Sequence, residues 1–196
     1  MKERAQRFLN WNFILYPESA PENWIDLINE TRIEWVCSPL HDKDLNPTGE
    51  QKKEHYHITL LYPSIKTFEQ VSELVQKQLN QPIPIQCQSV KGSIRYMVHK
   101  DNPEKFQYNW HDIKCYGGAD LQSLCMPTAS ERIKLLKEIL NFCTDNNITE
   151  YSDLVNVCLQ TDNNEWISVV CTFHTLPITA HIKSLRHKKI QEENKK

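Results

Sequence analysis

Five side chains that bind metal ions in many proteins stand at short spacings in the first third of the chain. His55 and His57 lie two residues apart in HYHITLLY, and SPLHDKD contains His41, Asp42 and Asp44. Imidazole nitrogens and carboxylate oxygens are common ligands of divalent ions such as Mn²⁺ and Zn²⁺. These residue types therefore point to a metal centre with mixed nitrogen and oxygen ligands.

The His-Tyr-His segment places two imidazoles together if it forms a strand. Alternate residues of a strand share a face, so His55 and His57 project to one side while Tyr56, Ile58 and Leu60 project to the other. An isolated His-x-His pattern is more often a pair of ordinary strand histidines than a metal site. Apolar residues on the opposite face favour the metal site, because they leave the histidine face to solvent.

The SPLHDKD loop adds a third imidazole and a carboxylate, provided that the strands before and after it are neighbours in one sheet. The loop then returns close to His55. Three nitrogens and one oxygen suit Mn²⁺ or Zn²⁺, and Mg²⁺ where that ion is abundant. A plain polar turn is the alternative, since Asp, Asn and Pro are usual loop residues.

Tyr96 is the candidate nucleophile. In the expected helix GSIRYMVHK, the residues Ile94, Met97 and Val98 form an apolar stripe, and Tyr96 falls on the flank beside basic side chains. Most such tyrosines are packing residues. A phenol oxygen attacks phosphorus, however, when a cation stabilises the charge that develops.

Strands and helices alternate up to the pair Gly117-Gly118. The expected strands are residues 7–16, 33–38, 55–62 and 83–90, the third ending before Pro63, and the expected helices begin at Pro21, Thr67 and Gly92. The order β-α-β-β-α-β-α predicts an α+β fold with a ferredoxin-like split βαβ antiparallel sheet and helices on one face.

The remainder of the chain predicts helices only. We expect a domain over residues 1–118, a linker over 119–127 and a small all-α C-terminal domain over 128–196, which starts with a capping box from Thr128 to Glu131. A unit of about 70 residues buries little surface on its own. We therefore expect it to self-associate through the apolar faces around Leu136, Leu140, Val170 and Phe173.

Composition excludes several classes of protein. Only four glycines occur, and no stretch matches a P-loop or a dinucleotide-binding fingerprint. No apolar stretch approaches the length of a membrane span, and seven scattered cysteines without a C-x-x-C pair indicate reduced thiols in the cytoplasm. A net charge of -2 is unusual for a nucleic-acid-binding domain, although a bound cation restores positive charge locally.

These motifs together resemble HUH endonucleases, and most closely the RepB-like initiators of rolling-circle plasmid replication in Gram-positive bacteria. The resemblance covers roughly the first 110 residues, from RFLNWNFILYPES through SPLHDKD and HYHITLLY to IRYMVHKDNPEK. It implies that His41, Asp44, His55 and His57 bind the metal, most readily Mn²⁺, with Mg²⁺ or Zn²⁺ as alternatives. It also implies that Tyr96 nicks single-stranded DNA, forming a 5′-phosphotyrosine link and a free 3′-hydroxyl.

The resemblance also implies partners. These are the plasmid origin, as a single-stranded hairpin and as duplex repeats, a host DNA polymerase, and further copies of the chain bound through the C-terminal domain. Because the chain has no ATPase motif, we expect a host helicase or supercoiling to separate the strands. Candidate phosphate contacts are Lys52, Lys53, Arg95, His99, Lys100 and Lys105. Two alternatives stay open: a non-catalytic DNA-binding replication or copy-control protein with a structural zinc site, and a metal-dependent hydrolase of small phosphoesters.

Overall fold

The computed structural model describes residues 7–161 and 163–194. Its contacts divide the chain into two units, with the boundary between Cys125 and Met126. This boundary falls within the expected linker. Residues Leu121–Cys125 of that segment form a short helix, and Leu121 and Leu124 pack against the core of the first unit.

The first unit is built on a five-stranded sheet in which every neighbouring pair is antiparallel. The strands are β1 (Arg7–Leu15), β2 (Glu34–Cys37), β3 (Tyr56–Thr67), β4 (Ile85–Gln86) and β5 (Lys114–Tyr116), in the order β4-β1-β3-β2-β5. Because β3 lies between β1 and β2, the first four strands have the split βαβ arrangement. The predicted fold class is thereby confirmed, and β5 adds an edge strand that the sequence did not predict.

Helices lie on both faces of the sheet. Helices α1 (Trp24–Glu30) and α2 (Phe68–Ser72), the latter continuing as a π-helical segment (Glu73–Gln78), cover the face that carries Trp11, Trp35 and Leu60. Helix α3 (Val90–Tyr96) covers the other face, where Ile94 and Met97 pack with Val36 and Leu61. The expectation of helices on one face therefore holds only for α1 and α2, because β2 and β3 carry apolar side chains on both faces.

Strand β3 continues through Pro63, where the sequence predicted its end. Asn10 of β1 pairs with Leu61, and Phe8 pairs with Lys66, so the register shifts between these two pairs. Pro63 lies in this irregular stretch, where a residue without an N–H removes no ladder hydrogen bond. The bulge thus allows the strand to extend to Thr67.

Helix α3 is shorter than expected and leads into a tight turn. Ser89 caps its start by accepting a hydrogen bond from the Gly92 N–H, and the helix ends at Tyr96 instead of Lys100. His99 has a φ of 57°, the left-handed conformation that stops a helix. Its side chain consequently turns inward, and the helical spacing that predicted its position no longer applies there.

The second unit is helical, as predicted. It comprises α5 (Ala129–Asp145), α6 (Tyr151–Gln160), α7 (Asn164–Ser168) with a π-helical extension (Val169–Phe173), and α8 (Thr175–Glu193), following α4 (Leu121–Cys125) of the first unit. Thr128 and Glu131 form the predicted capping box. Val170 is fully buried in the unit's own core, with Leu136 and Leu140 packed against it, so Val170 is not available to a second copy and that part of the expected interface is wrong. None of the helices in the described residues is both long and apolar enough to cross a membrane.

Candidate metal and nucleophile site

The sheet brings the three predicted histidines together. The His41 N–H donates to the His55 carbonyl over 2.9 Å in an isolated bridge, so the loop between them begins and ends at the same place. His57 follows on the same face of β3, and its N–H donates to Ser38 Oγ over 2.9 Å. The ring centroids of the three histidines lie 4.7 to 5.2 Å apart. The expected return of the loop to His55 is what the structure shows.

In each of three buried histidines, one ring nitrogen donates a hydrogen bond. Each hydrogen bond is 2.8 Å long and ends on a backbone carbonyl: His41 Nε2 on Met97, His55 Nδ1 on Lys53 and His99 Nδ1 on Phe106. A carbonyl oxygen only accepts, so these nitrogens carry the hydrogen and the second nitrogen of each neutral ring keeps its lone pair. Such bonds orient histidine ligands in metal sites.

The three lone pairs converge on one carboxylate oxygen. Asp44 Oδ2 lies 3.4 Å from His41 Nδ1, 3.9 Å from His55 Nε2 and 3.7 Å from His99 Nε2. Among the described residues, His41 Nδ1 and His99 Nε2 are buried without a hydrogen-bond partner. Lone pairs that face a carboxylate repel it unless a cation lies between them. The donor set therefore fits a divalent ion.

The separations also suit an ion. Ligands about 2.1 Å from a metal are about 3.0 Å apart at a right angle and about 3.4 Å apart at the tetrahedral angle. Ligand atoms of His41, His55 and His57 lie within 4.8 Å of one another, and so do those of His41, Asp44 and His99. A contraction of roughly 1 Å or less toward an ion brings such groups to bonding distance. Asp44, which is buried, belongs to the cluster, whereas the partly exposed Asp42 is absent from both groups.

Burial favours the neutral form of two of these histidines, His41 and His57. Loss of hydration, together with neighbouring imidazoles, lowers the pKa of His57 from 6.5 to about 2. Burial also lowers the pKa of His41, although the Met97 carbonyl and Asp44 oppose the effect. Neutral imidazoles are the form that binds metal.

Tyr108 fixes Asp44, and no sequence pattern pointed to it. Its hydroxyl donates to Asp44 Oδ1 over 3.1 Å and accepts from the Lys43 N–H over 3.0 Å. Its ring stacks on His41, with centroids 4.2 Å apart and planes 5° from parallel. Burial and the nearby carboxylate raise the pKa of Tyr108 to about 12, so the hydroxyl keeps its proton. Local spacing could not have found this residue, since Asp44 lies 64 positions earlier.

Tyr96 borders the cluster and remains open to solvent. Its ring centroid lies 5.2 Å from that of His57 and 5.3 Å from that of His99, and 40% of the residue is exposed. Lys105 Nζ donates to the phenol oxygen over 2.9 Å. A substrate can therefore reach an oxygen that already lies beside an ammonium group.

The expected phosphate contacts differ in their surroundings. His99 is fully buried, so its assignment as a phosphate contact is wrong. Arg95 forms a two-point ion pair with Asp101, and Lys53 pairs with Glu18 over 3.0 Å. Lys100 is exposed and lies 5.7 Å from the Trp110 ring centroid, and Lys52 is partly exposed. Lys105, by contrast, donates to the phenol oxygen of the candidate nucleophile.

Comparison with known proteins identifies the family. Residues 2–122 match the family model of the plasmid replication protein origin binding domain, and residues 129–187 match that of the C-terminal part of replication protein RepB. The chain is 39% identical over 186 residues to a replication protein of Staphylococcus aureus, covering 95% of this chain and 93% of that protein.

It is also 40% identical over 184 residues to replication protein RepB of Lactiplantibacillus plantarum, covering 93% of this chain and 83% of the relative. A RepB of Streptococcus agalactiae is 26% identical over 167 residues, or 79% of this chain and 78% of that one. The resemblance found in the sequence is confirmed. The chain belongs to the RepB family of plasmid replication initiator proteins, and its first unit is their origin-binding domain.

Proposed function

We propose that the first unit nicks plasmid origin DNA by metal-dependent transesterification, with Tyr96 as the nucleophile. One observation carries the proposal: ring nitrogens of His41, His55 and His99 converge on Asp44 beside an exposed phenol that Lys105 contacts. The convergence fits an ion, and the phenol supplies a group that attacks phosphorus.

The reaction exchanges one phosphodiester for another. Tyr96 Oη forms a bond to phosphorus, and the bond between phosphorus and the 3′-oxygen breaks. The phenol loses its proton and the departing 3′-oxygen gains one, so atoms and charge balance. A divalent ion held by His41, Asp44, His55 and His57 polarises the scissile phosphate when bound, and Mn²⁺ is the ion we favour.

Lys105 assists the nucleophile in this scheme. Its ammonium group already donates to the phenol oxygen, and a hydrogen bond from a charged donor strengthens as negative charge builds on the acceptor. The product is a 5′-phosphotyrosine link and a free 3′-hydroxyl. Because a phosphodiester is retained, the step is reversible, which allows the same site to rejoin the strand.

The partners follow from this chemistry. The substrate is an origin hairpin exposed as single-stranded DNA, next to duplex repeats that the same unit binds, in the cytoplasm of a bacterial host. The 3′-hydroxyl primes the host DNA polymerase. A host helicase or DNA supercoiling separates the strands, since the chain has no P-loop. The C-terminal unit assembles several copies at the origin.

The test is covalent capture of DNA. The full chain is incubated with Mn²⁺ and an origin oligonucleotide labelled on the 3′ side of the scissile phosphate, and adducts are separated under denaturing conditions. We expect an adduct for the wild type and none for Tyr96→Phe. Tyr62→Phe is the matched control, because Tyr62 packs against the core on the opposite face of the sheet.

The same assay separates the alternatives. An adduct that persists in Tyr96→Phe contradicts the proposal. DNA binding without any adduct supports a non-catalytic protein with a structural zinc, for which the buried ligands are otherwise suited. Turnover of small phosphoesters without covalent capture supports the hydrolase.

A further inference from the structure

We propose that His99 is an additional ligand of the ion, through Nε2, so that the turn bearing the nucleophile is itself bound to the metal. The inference rests on the proposed function for the presence of an ion beside Asp44. It adds a side chain that the sequence placed among the phosphate contacts.

His99 has the features of a metal ligand. The residue is fully buried, and its Nδ1–H is held by the Phe106 carbonyl over 2.8 Å. Its Nε2 has no hydrogen-bond partner among the described residues and lies 3.7 Å from Asp44 Oδ2. Burying a polar nitrogen without a partner is unfavourable, so its retention needs a reason. A cation between Nε2 and Asp44 supplies one.

The backbone holds His99 in this position against its own preference. A φ of 57° is unfavourable for a residue with a Cβ. The turn is closed by hydrogen bonds, since the His99 N–H donates to Tyr96 O over 3.0 Å and the Asn102 N–H donates to His99 O over 2.8 Å. Strain of this kind persists where surrounding contacts require it and is common at functional sites.

A simple packing role does not account for the geometry. A packing histidine would have both nitrogens satisfied or would be replaced by an apolar residue without loss. Here the ring contacts His41 at 4.7 Å and Tyr96 at 5.3 Å between centroids, and its bare nitrogen faces the carboxylate. The ligand atoms of His41, Asp44 and His99 already lie within 4.8 Å of one another.

The placement has a consequence for the nucleophile. His99 follows Tyr96 by three residues, and one backbone hydrogen bond links them. An ion bound by His99 therefore fixes the turn directly after the nucleophile. Metal binding and the position of the phenol are coupled through a single turn of backbone.

The test measures Mn²⁺ binding by the full chain in the absence of DNA. Isothermal titration gives the affinity, and modulation of the electron spin echo by ¹⁴N reports the imidazole nitrogens bound to the Mn²⁺. The variant is His99→Asn, because Asn tolerates the left-handed backbone but is too short to reach the ion. The control is His111→Asn, which changes an exposed imidazole of the same unit.

We expect His99→Asn to bind Mn²⁺ about tenfold more weakly or worse and to lose the ¹⁴N modulation of one imidazole while that of the remaining histidine ligands persists, and His111→Asn to match the wild type. His99→Gly is the second variant, since glycine also adopts this φ and leaves room for a free imidazole. Added imidazole should restore its affinity for Mn²⁺. Should His99→Asn fail to fold in circular dichroism, the rescue of His99→Gly by imidazole decides whether His99 is a ligand.

Three results overturn the inference. The first is that His99→Asn binds Mn²⁺ with wild-type affinity and unchanged ¹⁴N modulation, a result that leaves the proposed nicking reaction intact. The second is a lack of rescue of His99→Gly by imidazole. If the wild-type chain binds no Mn²⁺, both the assignment of His99 as a ligand and the role of the metal in the proposed function are contradicted. Loss of nicking in Tyr96→Phe, by contrast, contradicts neither of them.

Discussion

Replacing Lys105 by methionine separates two roles for this side chain, nucleophile partner and phosphate contact. Methionine keeps most of the aliphatic length and removes the ammonium group that donates to Tyr96 Oη over 2.9 Å. A hydrogen bond to a charged group contributes about 1.5–3 kcal/mol. Lys105 is partly exposed, and solvent screening favours the lower end of that range. About 1.4 kcal/mol corresponds to a tenfold change in rate, so we expect roughly a tenfold loss.

The assay is single-turnover cleavage of a labelled origin oligonucleotide at saturating protein, which isolates the chemical step from DNA affinity. Lys105→Arg should retain most of the rate because it keeps a cationic donor. Lys100→Met is the control, since Lys100 is an exposed lysine whose ammonium group lies over the ring of Trp110, not that of Tyr96. It should weaken binding slightly, if at all, and leave the saturated rate unchanged.

A phosphate contact predicts a different result. In that case Lys105→Met would bind DNA less tightly, would have a salt dependence lower by about one counterion, and would cleave at the wild-type rate once saturated. That outcome refutes the assignment of Lys105 to the nucleophile.

Two further predictions concern the metal cluster. Tyr108→Phe removes the donor to Asp44 Oδ1 and should weaken Mn²⁺ binding by about 10- to 100-fold in a calorimetric titration, while Tyr62→Phe should not; equal affinities would contradict this role. For the second prediction, the protein is first treated with a chelator to remove bound metal. Because the pKa of His57 is lowered in the folded state, only the unfolded state binds a proton on this imidazole as the pH falls below 6.5. The free energy of unfolding in urea should therefore fall between about pH 7 and 5, by up to about 1.4 kcal/mol per pH unit from this group, and His57→Gln should flatten the curve.

The sequence predicted the parts of the fold that depend on local periodicity. Alternation in HYHITLLY placed His55 and His57 on one face and Ile58 and Leu60 on the other, as the structure has them. The same alternation predicted solvent access wrongly, since that face is covered by α3. Whether a face is open depends on packing between distant segments, which the period of one strand does not contain.

The sequence could not identify His99 and Tyr108 as parts of the candidate site, for a related reason. Helical spacing placed His99 on the surface because it assumed a helix up to Lys100, yet the helix ends at Tyr96 and the left-handed φ reverses the side chain. A non-glycine residue in that conformation has no reliable sequence signal. Tyr108 became relevant only through contacts with Lys43 and Asp44, which fold topology creates.

The hydrogen bond from His41 Nε2 to the Met97 carbonyl joins a candidate metal ligand to the backbone beside the candidate nucleophile. Met97 is the residue directly after Tyr96, and the opposite nitrogen of the same ring faces Asp44. If His41 Nδ1 held an ion, one of larger radius would displace the imidazole outward, and the Met97 carbonyl, with the backbone that carries the phenol, would follow. The imidazole of His41 would thus connect the size of the bound ion to the position of the Tyr96 phenol. Two metals held equally tightly by this protein need not present its tyrosine to DNA at the same distance.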